Sequence, residues 1–183
     1  ISRETVRRGE ITARIGNALG AAAIRSYSDA TPLVRPRLAA RSLTMNVPLQ
    51  EVTVEQVQAA RERIRTAGVE NRTLFEHVDV VKTLDLAQRG KTWPLEVQVF
   101  RLDRDTALVG LPGEIFCDLG LAIKRGSPFK RTLVMSLCND RPAYVPTRKA
   151  FTEGSYEVLN SRVKPGGGEL LVDAALKLLK QLH

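Results

Sequence analysis

Apolar residues spaced three to four apart mark the helices of this chain. They predict an amphipathic helix over about 3–26, and its apolar face comprises Ile11, Ile15, Ala18, Leu19 and Ala22. Thr53 and Gln56 form a capping-box pair, which predicts a second helix that runs to about Gly68. A third helix is predicted over 73–88.

Alternation of apolar and polar residues marks the strands. Residues 37–47 alternate imperfectly and predict a strand that ends at Pro48. Alternation over 95–99 and a denser apolar run over 107–111 predict two adjacent strands. The stretch 132–137 predicts a buried strand.

Two further helices complete the pattern in the second half of the chain. One is short, over 117–124, and the other closes the chain after the triglycine 166–168. The apolar face of the closing helix comprises Leu170, Leu171, Ala174, Leu178 and Leu182. Helices alternating with strands in this way predict an α/β fold, a layered mixed β-sheet with packed helices.

Size and charge narrow the class of protein. At 183 residues the chain is long enough for one domain with a real core. Its net charge of +8 is compatible with binding to nucleic acid phosphates. However, Glu62 interrupts the arginines within 61–65, and no aromatic platform for stacking bases accompanies them. We therefore expect no nucleic-acid partner. No apolar run approaches the roughly 18 residues of a bilayer span, so no transmembrane segment is predicted.

The two cysteines do not suggest a metal site. Cys117 and Cys138 lack the spacing of metal ligands, and two thiols in a chain of this size do not make a disulfide framework. We expect both to be buried free thiols.

Glu114 is the first candidate for chemistry. It follows the predicted strand 107–111 in the sequence Leu-Pro-Gly-Glu, and ligands of α/β sheets bind at the carboxyl ends of strands. Gly113 permits an unusual backbone conformation just before the carboxylate, and Pro112 ends the strand pairing. An alternative interpretation is that Glu114 only caps the helix that follows.

Two tyrosines stand in the loops that follow the strand 132–137. Tyr144 lies in the polar, proline-containing loop 139–147, and Tyr156 follows in the sequence Gly-Ser-Tyr-Glu. Two of the three tyrosines of the chain therefore fall in one stretch. The alternative is that both are residues at the edge of the core with satisfied hydroxyls.

The order of these motifs resembles the neutral, or alkaline non-lysosomal, ceramidase family, with the best fit to its bacterial relatives. The resemblance rests on Leu-Pro-Gly-Glu at 111–114, on Leu-Cys-Asn at 137–139, on Tyr-Val-Pro-Thr at 144–147 and on Tyr156-Glu157. It covers the chain from about Leu95 onward. On this basis the chain is either a single domain, 1–183, or the C-terminal portion of a ceramidase-like catalytic domain.

The resemblance implies a zinc-dependent amidase, which holds its metal with two histidines, a glutamate and a tyrosine. The glutamate falls on Glu114 and the metal-binding tyrosine on Tyr144. Tyr156 matches a second tyrosine, with a catalytic role in hydrogen bonding the substrate carbonyl. The implied chemistry is metal-assisted hydrolysis of an amide in a small molecule or lipid.

Departures from the family pattern limit what this chain does alone. Its histidines, His77 and His183, match neither histidine ligand, and zinc ordinarily takes at least three protein ligands. We therefore expect zinc in a full-length parent, whose upstream part is a partner of this chain, and no tight zinc site or turnover in this chain by itself. The runs 115–119 and 148–151 also differ from the family and argue against ceramide as the substrate.

Two expectations stay open alongside this one. The first is a non-catalytic ceramidase-like domain of unknown binding function, with Glu114 as a helix cap. The second concerns location: a signal peptide upstream of Ile1 would make the protein secreted or periplasmic.

Overall fold

The computed structural model describes residues 3–33, 35–66 and 73–183. The chain divides into two compact units, 1–35 and 36–183. The first unit holds one helix, α1 (Arg3–Ser28), which confirms the helix predicted over 3–26. Its last turn gains two hydrogen bonds, because the hydroxyls of Ser26 and Ser28 donate to main-chain carbonyls one turn earlier.

The second unit is built on a four-stranded sheet in the order β1-β2-β3-β5. The strands β1, β2 and β3 pair antiparallel, and β3 pairs with β5 in parallel, so the sheet is mixed as predicted. The bounds are β1 (Ala39–Pro48), β2 (Thr92–Arg101), β3 (Thr106–Gly110) and β5 (Arg131–Met135). A separate two-stranded sheet joins β4 (Glu114–Ile115) to β6 (Tyr144–Val145).

Six helices surround these strands in the described part of the second unit. They are α2 (Val54–Thr66), α3 (Leu74–Arg89), α4 (Cys117–Gly126), α5 (Ala150–Glu153), α6 (Tyr156–Asn160) and α7 (Gly167–Leu182). Capping boxes begin α2, from Thr53 and Gln56, and α3, from Thr73 and Glu76. The predicted end of α2 at Gly68 lies outside the described residues.

The core lies between one face of the four-stranded sheet and the helices α4 and α7. Inward-pointing side chains alternate along β2 and meet the apolar face of α7, as a half-buried strand and an amphipathic helix require. The buried side chains of this layer include Val47, Leu95, Val97, Val99, Val109, Leu171, Ala175 and Leu179. This packing confirms the predicted α/β class.

The strand β5 is not buried, contrary to prediction. It is an edge strand of the sheet, and Leu133 and Met135 are 52% and 41% exposed. Its alternating pattern places Thr132 and Val134 toward the helices. The dense apolar sequence predicts burial on both faces of the strand, but the face of the four-stranded sheet that points away from α4 and α7 also carries apolar residues. Phe100, Leu108 and Leu133 are register neighbours on that face.

The structure also bears on the predictions for the cysteines and for a transmembrane helix. The prediction of two buried thiols is wrong, since Cys117 is exposed at the start of α4 and Cys138 is half-buried. Both are free thiols, as expected. Within the described residues, no helix is both long enough and apolar enough to span a bilayer.

Candidate functional site

A two-stranded parallel ladder brings Glu114 and Tyr144 side by side. They are direct register partners, followed by Ile115 and Val145. The backbone N–H of Glu114 donates to the carbonyl of Ala143 at 2.9 Å. The ladder therefore places the carboxylate and the phenol of the two segments at the same edge.

Gly113 makes this close approach possible. Its φ of +74° lies in the left-handed region, and a Cβ there would stand 2.6 Å from the carbonyl oxygen of Ala143. Its N–H donates to the carbonyl of Asp140 at 3.0 Å, and its own carbonyl accepts from the N–H of Leu137 at 2.9 Å. A side chain at this position would separate the two segments.

The loop that carries Tyr144 contains strained backbone. Leu137, Asn139 and Ala143 have φ angles of 59°, 66° and 62°, a region that costs a non-glycine residue about 1–3 kcal/mol. The hydrogen bonds to Gly113 and Glu114 hold two of these three residues in place. Strain of this kind collects at functional sites, which supports a functional role for this loop.

Glu114 does not cap the following helix. The N-cap of α4 is Phe116, and no side chain makes a capping hydrogen bond there. The half-buried carboxylate instead interacts with Tyr144. The cap interpretation of Glu114 is therefore wrong, because the two-residue strand β4 stands between Gly113 and the helix.

The Tyr144 phenol is tied to the Glu114 carboxylate. Hydrogen bonding with Glu114, aided by desolvation and by the nearby negative charge, raises the pKa of the Tyr144 phenol above its ordinary value. A carboxylate accepts the phenolic proton and so favours the protonated phenol.

Tyr156 joins the pair through its ring. The rings of Tyr144 and Tyr156 meet edge to face with centroids 5.9 Å apart. Phe75 packs edge to face on the Tyr156 ring with centroids 5.8 Å apart. The amide of Asn160 donates to the Tyr156 hydroxyl at 3.5 Å. The structure thus brings together all three predicted site residues, while their roles as ligands and catalyst stay predictions.

Glu114 also lines a cavity of about 430 Å³. The other lining residues are Val81, Asp85, Arg89, Trp93, Arg141, Ala143, Asn160 and Arg162. Sequence reasoning missed the three arginines and Trp93, since no local motif marks them. They come from α3, from the first residues of β2 and from two loops, and only the tertiary fold assembles them.

Two of the three arginines of this cavity, Arg89 and Arg162, are held by specific contacts. Asp85 accepts from Nε of Arg89 at 2.8 Å and from Nε of Arg162 at 3.1 Å. The Arg89 guanidinium lies 3.4 Å from the centroid of the Trp93 ring, a cation–π contact. The indole N–H of Trp93 in turn donates to Asp140 at 2.8 Å.

Neither histidine lies in this site. His77 is exposed on α3, and His183 is exposed at the chain end, where it packs edge to face on Phe129. The described residues contain no group of three or more His, Cys, Asp or Glu side chains placed to hold one metal ion. The metal ligands that the sequence predicts in this part of the chain are Glu114 and Tyr144, and their roles stay predictions.

Comparisons with known proteins support the fold. No protein-family model matches the chain, and no curated protein sequence does so. Among solved structures, it is similar to the crystal structure of neutral ceramidase from Pseudomonas aeruginosa, with a TM-score of 0.51 and 18% identity. That match covers 79% of this chain and 29% of the ceramidase chain.

A second solved structure, a ceramidase complexed with C2, gives a TM-score of 0.47 and 14% identity over 79% of this chain and 30% of its own. The match to the Pseudomonas aeruginosa structure confirms the resemblance to neutral ceramidases at the level of the fold. The chain has a ceramidase-like fold and spans less than a third of the ceramidase it matches.

Proposed function

We propose that this chain is the C-terminal part of a ceramidase-like, zinc-dependent amide hydrolase. It contributes two of the four metal ligands, Glu114 and Tyr144, and a catalytic hydroxyl, Tyr156. The observation that carries the proposal is the direct register pairing of Glu114 with Tyr144 beside a cavity that Glu114 lines. In a longer protein, the substrate is an amide in a small molecule or lipid.

The donor set fits zinc. A carboxylate oxygen is a common zinc ligand, and the phenol of Tyr144 interacts with that carboxylate, which raises the pKa of the phenol. When bound, zinc supplies a water whose pKa falls to roughly 7 and polarises the amide carbonyl. A cation at the Glu114 carboxylate would remove the charge that now favours the protonated Tyr144.

Tyr156 is suited to hydrogen bonding the developing oxyanion. Its ring is fixed by edge-to-face contacts with Tyr144 and Phe75, so its hydroxyl is held next to the two proposed ligands. The hydroxyl accepts from Asn160, which leaves its own proton to donate. A positioned donor of this kind stabilises charge that appears only in the transition state.

Two ligands do not make a catalytic zinc site, which ordinarily takes three from the protein. The share of the ceramidase chain matched here, 29%, leaves room for the remaining ligands elsewhere in a longer protein. We therefore propose that this chain is inactive alone.

Amide hydrolysis by a longer protein that includes this chain tests the proposal. Glu114→Gln is expected to lower kcat at least 100-fold, because loss of a ligand disables the metal. Glu157→Gln is the matched control, since Glu157 lies close enough to influence Tyr144 but bonds the Ser155 hydroxyl instead. Full activity of E114Q would remove the ligand role.

A further inference from the structure

The cavity beside Glu114 holds more positive than negative charge once the proposed site is formed. Three guanidinium groups line it, those of Arg89, Arg141 and Arg162, against the carboxylates of Asp85 and Glu114. In the proposed function, Glu114 is committed to the metal. Three cations then face the single carboxylate of Asp85.

Many guanidinium donors in this cavity have no acceptor. The contacts to Asp85 use only Nε of Arg89 and Nε of Arg162, and the carbonyl and side-chain oxygens of Asn160 take Nη1 of Arg162. In the described part of the chain, the Arg141 guanidinium has no hydrogen-bond acceptor. The remaining Nη2 of Arg162 has no acceptor in the described structure and is open to solvent, so it is available to a ligand that accepts hydrogen bonds.

The nearby Asp140 takes none of these guanidinium donors. Its carboxylate accepts from the indole N–H of Trp93 and from the backbone N–H of Arg141, at 2.8 and 2.7 Å. It is also not among the residues that line the cavity. The guanidinium donors that face the cavity are therefore not used by Asp140.

Two of the arginines are fixed before any ligand arrives. Arg162 is held between Asp85 and Asn160, and Arg89 lies over the Trp93 ring. Fixed guanidinium planes bind carboxylates through paired hydrogen bonds at little cost in side-chain entropy. The exposed Arg141 can close on the ligand from the loop that also carries Tyr144.

We propose that this cavity is a carboxylate-binding subsite, so that the amide hydrolysed is an N-acyl amine that carries a carboxylate. The assignment of the subsite to a substrate rests on the proposed function. Its chemistry differs from that of an uncharged lipid amide, which offers the guanidinium groups no charged acceptor.

Binding to the 183-residue chain tests the subsite without any metal. The probes are N-octanoylglycine and its uncharged carboxamide, N-octanoylglycinamide, which differ only in the terminal group. We expect the carboxylate to bind at least tenfold more tightly by calorimetry at low salt, as hydrogen bonds between charged groups predict. Arg141→Gln should reduce this preference to about threefold or less, while Arg104→Gln, an exposed arginine of the β2–β3 loop, should keep it.

Hydrolysis of the same two amides by the longer, zinc-loaded protein separates the two proposals. Equal binding of both probes, or a preference that survives R141Q, overturns the subsite even if both amides are cleaved. A preference that R141Q removes upholds the subsite, and failure to cleave either amide would then count only against the proposed function.

Discussion

Glu114 and Tyr144 are direct register partners across a ladder of only two residues per strand, and hydrogen bonding with the Glu114 carboxylate is the main cause that raises the pKa of the Tyr144 phenol. The ladder is short, but backbone hydrogen bonds from Gly113, Glu114 and Phe116 fasten it to the tyrosine loop. These hydrogen bonds hold Glu114 and Tyr144 next to each other although they are distant in the sequence.

The Glu114–Tyr144 contact predicts an unusual phenol titration. Since the carboxylate raises the pKa of Tyr144, Glu114→Gln should bring it back toward the ordinary value of about 10. Ultraviolet absorbance of ionised tyrosine measures this directly. Tyr144→Phe should remove the high-pH phase, and an unchanged titration in E114Q would contradict the contact.

The same contact has a consequence for stability at high pH. Folding raises the pKa of Tyr144, so the folded chain holds that proton more tightly than the unfolded chain. This contribution is complete below pH of about 10 and is lost as the pH rises through the folded-state pKa. The free energy of unfolding should therefore fall more steeply above pH of about 10 in the wild-type chain than in E114Q, as measured by denaturant titration.

Gly113 and Gly154 form a matched pair for testing the close approach. Both have left-handed φ angles, +74° and +77°, but a Cβ meets the Ala143 carbonyl at 2.6 Å only at Gly113, and nothing within 4 Å at Gly154. We expect Gly154→Ala to cost about 1–3 kcal/mol from backbone strain alone, since its ψ of −165° places it in a region that strongly favours glycine. Gly113→Ala should cost about 1–3 kcal/mol more than this in urea unfolding, because the added Cβ also meets the Ala143 carbonyl. Equal losses in the free energy of unfolding for the two variants would show that the close approach of Gly113 to Ala143 does not require glycine.

Asp85 is expected to support the cavity through its two arginines. Asp85→Asn removes the charge that pairs with the mostly enclosed Arg162, and should lower the free energy of unfolding by about 1–3 kcal/mol. Glu62→Gln breaks a comparable pair with Arg65 on the open surface and should cost under about 0.5 kcal/mol. A D85N chain as stable as E62Q would show that Asp85 does not organise the cavity.

The sequence indicates local structure well and burial less well. Capping boxes at Thr53 and Thr73 and the spacing of apolar residues in α7 predict those elements because the signals are local. The edge position of β5 depends on which strand pairs with β3, and the apolar residues of 132–137 contain no such information. The buried thiols were wrongly predicted for a similar reason.

In the candidate site, too, the sequence predicts local motifs but not the groups that only folding brings together. Short motifs predict Glu114 and Tyr144 as site candidates, whereas the strand β4, which stands where the alternative had Glu114 cap the helix, follows from pairing with a distant loop. The arginine cavity was missed entirely, because Arg89, Arg141 and Arg162 belong to separate segments and only folding brings them together.

The zinc content of a longer protein that includes this chain tests the central claim most directly. Metal analysis with a competing chelator should find one zinc per wild-type chain, and both E114Q and Y144F should lose at least tenfold in zinc affinity, while E157Q keeps it. The isolated chain should show no nanomolar one-to-one binding in calorimetry. Wild-type zinc affinity in E114Q and Y144F, or a nanomolar site in the isolated chain that Glu114→Ala abolishes, would contradict the half-site account.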